Sequence, residues 1–257
     1  MADTFFVHAA AANLRATPGT RQAPLARLPA GHAVTPTGAR QGDWQPCRTE
    51  IGDVLLDGFV HRALLREPVS REVDALVRVA GEEYARFAFG ALHETHPLAQ
   101  ERIRDYWLSF APQAQPVSEP WSAAFISFVV GSAALPLTFA FSGRHTTYLS
   151  DGKRARVAGD ASRAYWTLRL DEAPLRVGDL VGAYRTGGRC GSAVRTYDSL
   201  PGDFCSHCDL VVAVQGDKAV TLGGNLSNTV KATEVPLTAD GCAASGARRI
   251  AVMSRRF

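Results

Sequence analysis

EPWSAAFISFVV, residues 119–130, is the stretch on which the fold of this chain turns. Pro120 suits the first turn of a helix, where the N–H it lacks has no intrahelical partner, and Ser118 is suited to cap that turn. No charge occurs from Pro120 to Gly143, and Phe125, Ile126, Val129 and Val130 continue one apolar face. Pro136 interrupts the segment, and Ser122, Ser127, Ser132, Thr138 and Ser142 punctuate it. It therefore reads as a buried core helix followed by a loop, not as a membrane span. Ser122 then lies in the first turn, beside unpaired backbone N–H groups and the positive end of the helix dipole, where developing negative charge is stabilised.

Two later segments supply partners for that serine. SHCDLVVAV, residues 206–214, sets His207 at the head of an apolar strand, and TLGGN, residues 221–225, follows one hairpin later. Strand alternation turns His207 and Asp209 to one face and Cys208 to the other. A serine hydroxyl has essentially no ionised fraction at neutral pH, so a nucleophilic Ser122 needs a base to take its proton. The expected set is Ser122 as nucleophile, His207 as base, and Asn225 or Asp209 as the group that fixes the imidazole tautomer. His145 and Tyr148 share one helical turn and either line the groove or pack in the core. Asp179 in GDLV reads as a turn or strand-start residue, and Arg185 as solvated or facing an acidic substrate group.

Working outward, SREVDALVRVAGEEYARFAFGAL from Ser70 carries an apolar stripe at helical spacing, and a second helix fits about Leu98 to Phe110. A further amphipathic helix is expected over Asp160 to Leu168. Strand signals follow at 176–185, 208–214, 218–224, 230–237 and 248–256. Helices first and strands afterwards describe an α+β domain over residues 70–257, with a helical half and an antiparallel sheet. Residues 1–66 read instead as short strands broken by turns, as in a small β-barrel, and EPVS links the two segments.

Composition narrows the function classes. The 257 residues are 46% hydrophobic, enough to bury one substantial core and a small satellite domain. A net charge of +3 without a basic block excludes nucleic acid as the expected partner. The first residues lack the basic start and apolar core of a secretory signal, so synthesis for the cytoplasm is expected, at least initially. Five cysteines, Cys47, Cys190, Cys205, Cys208 and Cys242, leave an odd count. A disulfide such as Cys190 to Cys205, plain buried thiols, and a zinc site of Cys190, Cys205, Cys208 and His207 all remain open.

Residues 5–66 resemble a bacterial SH3-like domain, through Asn13-Leu14-Arg15, Pro18-Gly19, Gly31, Gly42-Asp43-Trp44 and Gly58-Phe59-Val60. The resemblance implies a barrel that targets cell-wall peptides, with Trp44 as a contact residue or as core. Residues 70–257 resemble the papain-like peptidoglycan amidases and endopeptidases of the CHAP and NlpC type. More closely, they resemble the bacterial domain of unknown function 2272, through Pro120 to Phe125, His145 to Tyr148, Gly178 to Val181, His207 to Asp209 and Gly223 to Asn225. Serine stands at position 122 where the better-understood relatives carry cysteine. The resemblance implies a peptidoglycan amide hydrolase that needs no metal and no cofactor, with Trp121, His145, Tyr148 and Trp44 at the substrate. It allows export or injection into the periplasm, and a secretion-system or immunity protein as partner. The alternatives are a binding-only descendant and an inactivated cysteine enzyme.

Overall fold

The computed structural model describes residues 4–257; Met1 to Asp3, which open the segment 1–66 and the reading of its start, lie outside the described residues. The chain begins with seven short strands: β1 (Phe5–Val7), β2 (Ala11–Leu14), β3 (Ala26–Pro29), β4 (Ala33–Pro36), β5 (Trp44–Ile51), β6 (Val54–His61) and β7 (Leu65–Arg66). Five of them form an antiparallel sheet in the order β6-β5-β4-β1-β7, and β2 pairs with β3. Alternation along these strands sends Val7, Leu14, Leu28, Val34, Cys47 and Val60 into one small apolar core.

Four helices follow: α1 (Arg71–Arg86), α2 (Pro97–Leu108), α3 (Ser122–Ser132) and α4 (His145–Ala158). Ser70 caps α1 by accepting from the Val73 N–H. Six strands complete the chain: β8 (Tyr165–Leu168), β9 (Leu180–Tyr184), β10 (Ser206–Gln215), β11 (Lys218–Gly223), β12 (Lys231–Pro236) and β13 (Arg249–Arg255). They make one antiparallel sheet in the order β12-β11-β10-β9-β13-β8. The mixed α+β class and the helical half with its antiparallel sheet agree with the sequence reading.

The helix expected over Asp160 to Leu168 is a correction. Gly159 adopts a left-handed conformation (φ 67°) that ends α4, and Tyr165–Leu168 then alternates buried and half-buried as an edge strand. The apolar spacing in this short segment fits both periods, and pairing with β13 decides it. Cap placement also differs. α3 starts at Ser122 with Trp121 as its cap residue, and no side chain, Ser118 included, satisfies its first N–H groups.

α3 is buried on all sides, which explains why its sequence carries no charge. Around its start, Phe87 stacks on Trp121 with centroids 5.7 Å apart, and Tyr106 meets Phe125 edge-on at 5.6 Å. The one ionised cluster in this region is self-contained. Glu83, 2% exposed, accepts from Arg102 at 2.5 and 2.8 Å and from the Tyr106 hydroxyl at 2.7 Å.

The β unit packs on the second unit through α1 and β10. His8 Nε2 is 2.9 Å from the Val214 carbonyl, and the Gln215 amide donates to the His8 carbonyl at 2.6 Å. Gly81 on α1 lies so close to the β3–β4 turn that an added Cβ would sit 2.0 Å from the Ala30 carbonyl oxygen. Alanine in a helix interior normally gains about 1 kcal/mol over glycine. Here Gly81→Ala is expected to lose about 2 kcal/mol, as backbone overpacking does, in a urea unfolding midpoint. A gain would show that the two units do not meet there.

Candidate functional site

Two side chains from two helix starts meet in the interior: Ser122 Oγ lies 2.7 Å from His145 Nε2. Ser122 is 7% exposed and His145 4%. The delivery of His145 can be traced to its approach loop. Ser127 on α3, itself buried, donates to the Ser142 carbonyl at 2.9 Å and accepts from the Ser142 N–H at 3.0 Å. Next to it, Gly143 lies flat on Trp107, where a Cβ would come within 2.4 Å of the indole. The loop is thereby pinned to α3 itself, and α4 begins with His145 beside Ser122.

On its other nitrogen, Nδ1, His145 is hydrogen-bonded to the hydroxyl of Tyr148, one turn further along α4. Burial, then the charges of His207 and Arg185, hold the His145 imidazole well below the ordinary histidine range. It is therefore neutral at pH 7. Burial, then the neighbouring Cys208 thiol, keep the Tyr148 hydroxyl protonated far above its usual range.

His207 stands beside this pair without joining it. Its ring centroid is 5.3 Å from that of His145, and its Nε2 is engaged with Asp209 Oδ1 at 2.6 Å. Room for that carboxylate comes from Gly223, where a Cβ would lie 1.8 Å from Asp209 Oδ1. Gly224 does the same for α3, since its Cβ would come within 2.6 Å of the Phe125 Cβ. The GGN motif thus seats α3 and the Asp209 carboxylate against one hairpin.

Several sequence expectations are corrected here. The imidazole in contact with Ser122 is His145, not His207, because the Ser127-pinned loop sets the start of α4 beside Ser122. The group that holds His207 is Asp209. Asn225 occupies a left-handed turn position (φ 56°), and among the described residues its side chain bonds neither imidazole. Trp121 is fully buried and donates its indole N–H to Glu94 at 2.8 Å, so it offers no surface to a ligand. Tyr148, 1% exposed, touches His145 and not solvent. Trp44 is on β5 in the β unit, edge-on to His61 at 5.3 Å. Asp179 is the structural residue it was read to be. Fully buried, it accepts from the backbone N–H groups of Arg176 and Arg255 at 2.9 Å, and burial raises its carboxyl to about 6. Arg185 is exposed at the end of β9.

The signal passed over in the sequence was the HxxY spacing at 145–148, read as groove lining or core although it holds the imidazole that meets Ser122 and the hydroxyl bonded to that imidazole.

Cys190 and Cys205 form a disulfide across the β9–β10 loop, Cα atoms 5.4 Å apart, while Cys47, Cys208 and Cys242 are buried free thiols. Joining the two sulfurs removes them as thiolate ligands, so the zinc arrangement is corrected too. No group of three His, Cys, Asp or Glu side chains suited to a metal occurs among the described residues. No helix among them is long and apolar enough to cross a membrane.

The family model described as "Uncharacterized protein conserved in bacteria (DUF2272)" matches residues 78–256, most of the chain, and the protein belongs to that family. No curated protein matches it. Among solved structures, it is similar to NlpC2 from Trichomonas vaginalis, with 9% identity over 98% of this chain and 74% of that one and a TM-score of 0.31.

The disulfide is open to direct test. Denatured without reductant, the protein is expected to expose three titratable thiols and not five. Reduction is expected to cost about 3 kcal/mol of stability, as for a closed loop of roughly this length, with a sequence separation of 15.

Proposed function

We propose that this protein is an acyl-transfer hydrolase in which Ser122 is the nucleophile and His145 its general base. The observation that carries the reading is the 2.7 Å contact between Ser122 Oγ and His145 Nε2 at an uncapped helix start. In the proposed reaction the Ser122 oxygen attacks a carbonyl carbon as its proton passes to His145 Nε2. The backbone N–H groups of the first turn of α3, which no side chain caps, stabilise the oxyanion. The imidazolium then returns the proton to the leaving group, and water releases the acyl chain from Ser122 by the same steps in reverse.

The substrate class we propose is the amide bonds of peptidoglycan. Its support is the resemblance of residues 70–257 to papain-like wall amidases and endopeptidases, in the Trp121 to Phe125 helix start, the strand headed by His207 and the later Asn225. In the same proposal residues 1–66 form an SH3-like targeting domain, with Trp44 at the wall peptide, and the protein acts in the periplasm. The Cys190–Cys205 disulfide supports an oxidising compartment. A secretion-system or immunity partner would fit that setting.

A noncatalytic recognition protein is the second reading. The near-complete burial of Ser122 and His145 favours it, because a substrate reaches that hydroxyl only when neighbouring groups move aside.

Digestion of purified peptidoglycan, with fragments identified by mass, separates these readings. Ser122→Ala and His145→Ala are expected to lose at least about 100-fold in rate, and His207→Ala much less. The acid limb of kcat/KM is expected to lie below the ordinary histidine range, because the neutral imidazole is the active form and its lowered pKa moves protonation to more acid pH. Cleavage by Ser122→Cys alone would identify an inactivated cysteine enzyme. Wall binding without cleavage by any variant would favour the recognition protein.

A further inference from the structure

Ser122 and His145 are almost fully buried, so a substrate reaches them only past a cover, and one segment of the chain touches the flank of each site residue. That segment is the loop of residues 185–205 between β9 and β10. Its Cys205, joined to Cys190, stands just before His207 at the head of β10. Its Arg189 Nη1 lies 3.5 Å from Oε2 of Glu119, on the approach to Ser122. Its Asp203 pairs with Arg144 and accepts from the Thr146 hydroxyl at 3.3 Å, and these two residues flank His145. Resting on the reading of Ser122 and His145 as the reactive pair, we infer that this loop is a lid over the site. It is mounted covalently at the head of β10 and latched by the ion pairs Arg189–Glu119 and Asp203–Arg144, and substrate enters when those latches open.

The loop has two parts that are held very differently. Its second part is docked on the fold: Tyr197 and Leu200 are buried, the Tyr197 hydroxyl donates to the Thr167 carbonyl at 3.1 Å, and Lys153 donates to the Leu200 carbonyl at 2.6 Å. Its first part, residues 186–194, sends no hydrogen bond beyond itself among the described residues. The ties of that part to the rest of the chain are the disulfide and the Arg189–Glu119 pair. Its tip is closed on itself, the Gly187 N–H donating to the Gly191 carbonyl at 2.7 Å. Both glycines have positive φ, 92° and 69°, and a Cβ on either would meet nothing within 4 Å. They serve the turn and not packing, so Arg189 and Cys190 are presented on a compact tip that no neighbour covers.

The strengths of these ties suit a gate. In both latch pairs each side chain is half exposed or more, and ion pairs of that kind add little stability and are screened by salt. The disulfide does not open with them, so the tip stays beside the site and returns to the same place. On the sides away from the loop the site is sealed by core packing, with Trp121 and Phe125 against Gly224 and Gly143 against Trp107. Those contacts part only if the core itself unpacks, whereas the lid lifts at the expense of exposed ion pairs. Movements of this type admit substrate and then exclude water from the reacting groups.

Two measurements on the full-length protein test the lid together: the rate at which a fluorophosphonate modifies Ser122, and hydrogen–deuterium exchange over residues 119–125, which needs no reaction at the serine. Glu119→Gln and Asp203→Asn are each expected to label about threefold faster than the wild type, and the two combined about tenfold faster. High salt is expected to speed labelling of the wild type and not of the combined variant. Exchange over residues 119–125 is expected to rise in step with labelling. Asp57→Asn, which breaks a similarly exposed pair with Arg48 in the β unit, is expected to change neither. Labelling and exchange in the combined variant equal to the wild type would overturn the lid. If exchange rises in that variant while no variant is ever labelled at Ser122, the lid stands and the hydrolase reading falls.

Discussion

The burial of α3 is the constraint on which the rest of this structure depends. A helix with no charged residue must be covered on every side, and here α1, α2, β10 and β11 all pack against it. That requirement draws the helical half and the sheet together. It also fixes the helix start, because Trp121 and Phe125 seat against Gly224, and nothing larger than glycine fits there. Ser122 is therefore held at a rigid, uncapped helix terminus by the same packing that builds the core.

The second histidine is best understood from this packing. His145 and His207 enter the site from different elements, His145 beside Ser122 after a loop pinned to α3 by Ser127 and His207 beside His145 from the head of β10. Their partners divide the site into two units, Ser122–His145–Tyr148 and His207–Asp209, placed side by side. The second unit has its own carboxylate, and after burial the charge of its histidine, His207, is one of the influences that depress His145. On the proposed function, the lowered pKa of the buried His145 keeps it neutral, the form that can accept a proton.

Much of this was legible in the sequence. The uncharged run after Pro120, the stripe from Val73 to Phe87 and the strand signals beyond Val177 follow from period and polarity, and they predicted the main elements of the second unit. Ser122 was singled out differently, by the resemblance of Pro120 to Phe125 to the nucleophile helix of papain-like amidases, because a serine near a helix start is by itself usually a cap or a surface hydroxyl. The choice of imidazole was not legible. It depends on how a loop of small residues, Ser142 and Gly143, lies on Ser127 and Trp107, and such contacts leave no periodic trace. Nor were the jobs of Gly223 and Gly224 visible as anything beyond a turn, because the atoms they make room for, on Asp209 and Phe125, are remote in sequence. Tyr165–Leu168 was misread because a four-residue element belongs to whichever partner pairs with it.

The most direct test of the central claim, that Ser122 and His145 form the reactive pair, is covalent capture. The protein is incubated with a serine-reactive fluorophosphonate, and the modified residue is located by peptide mass. The account predicts phosphonylation of Ser122 in the native protein and in His207→Ala, and its loss in His145→Ala. Labelling of Ser122 that survives His145→Ala but disappears in His207→Ala would contradict it.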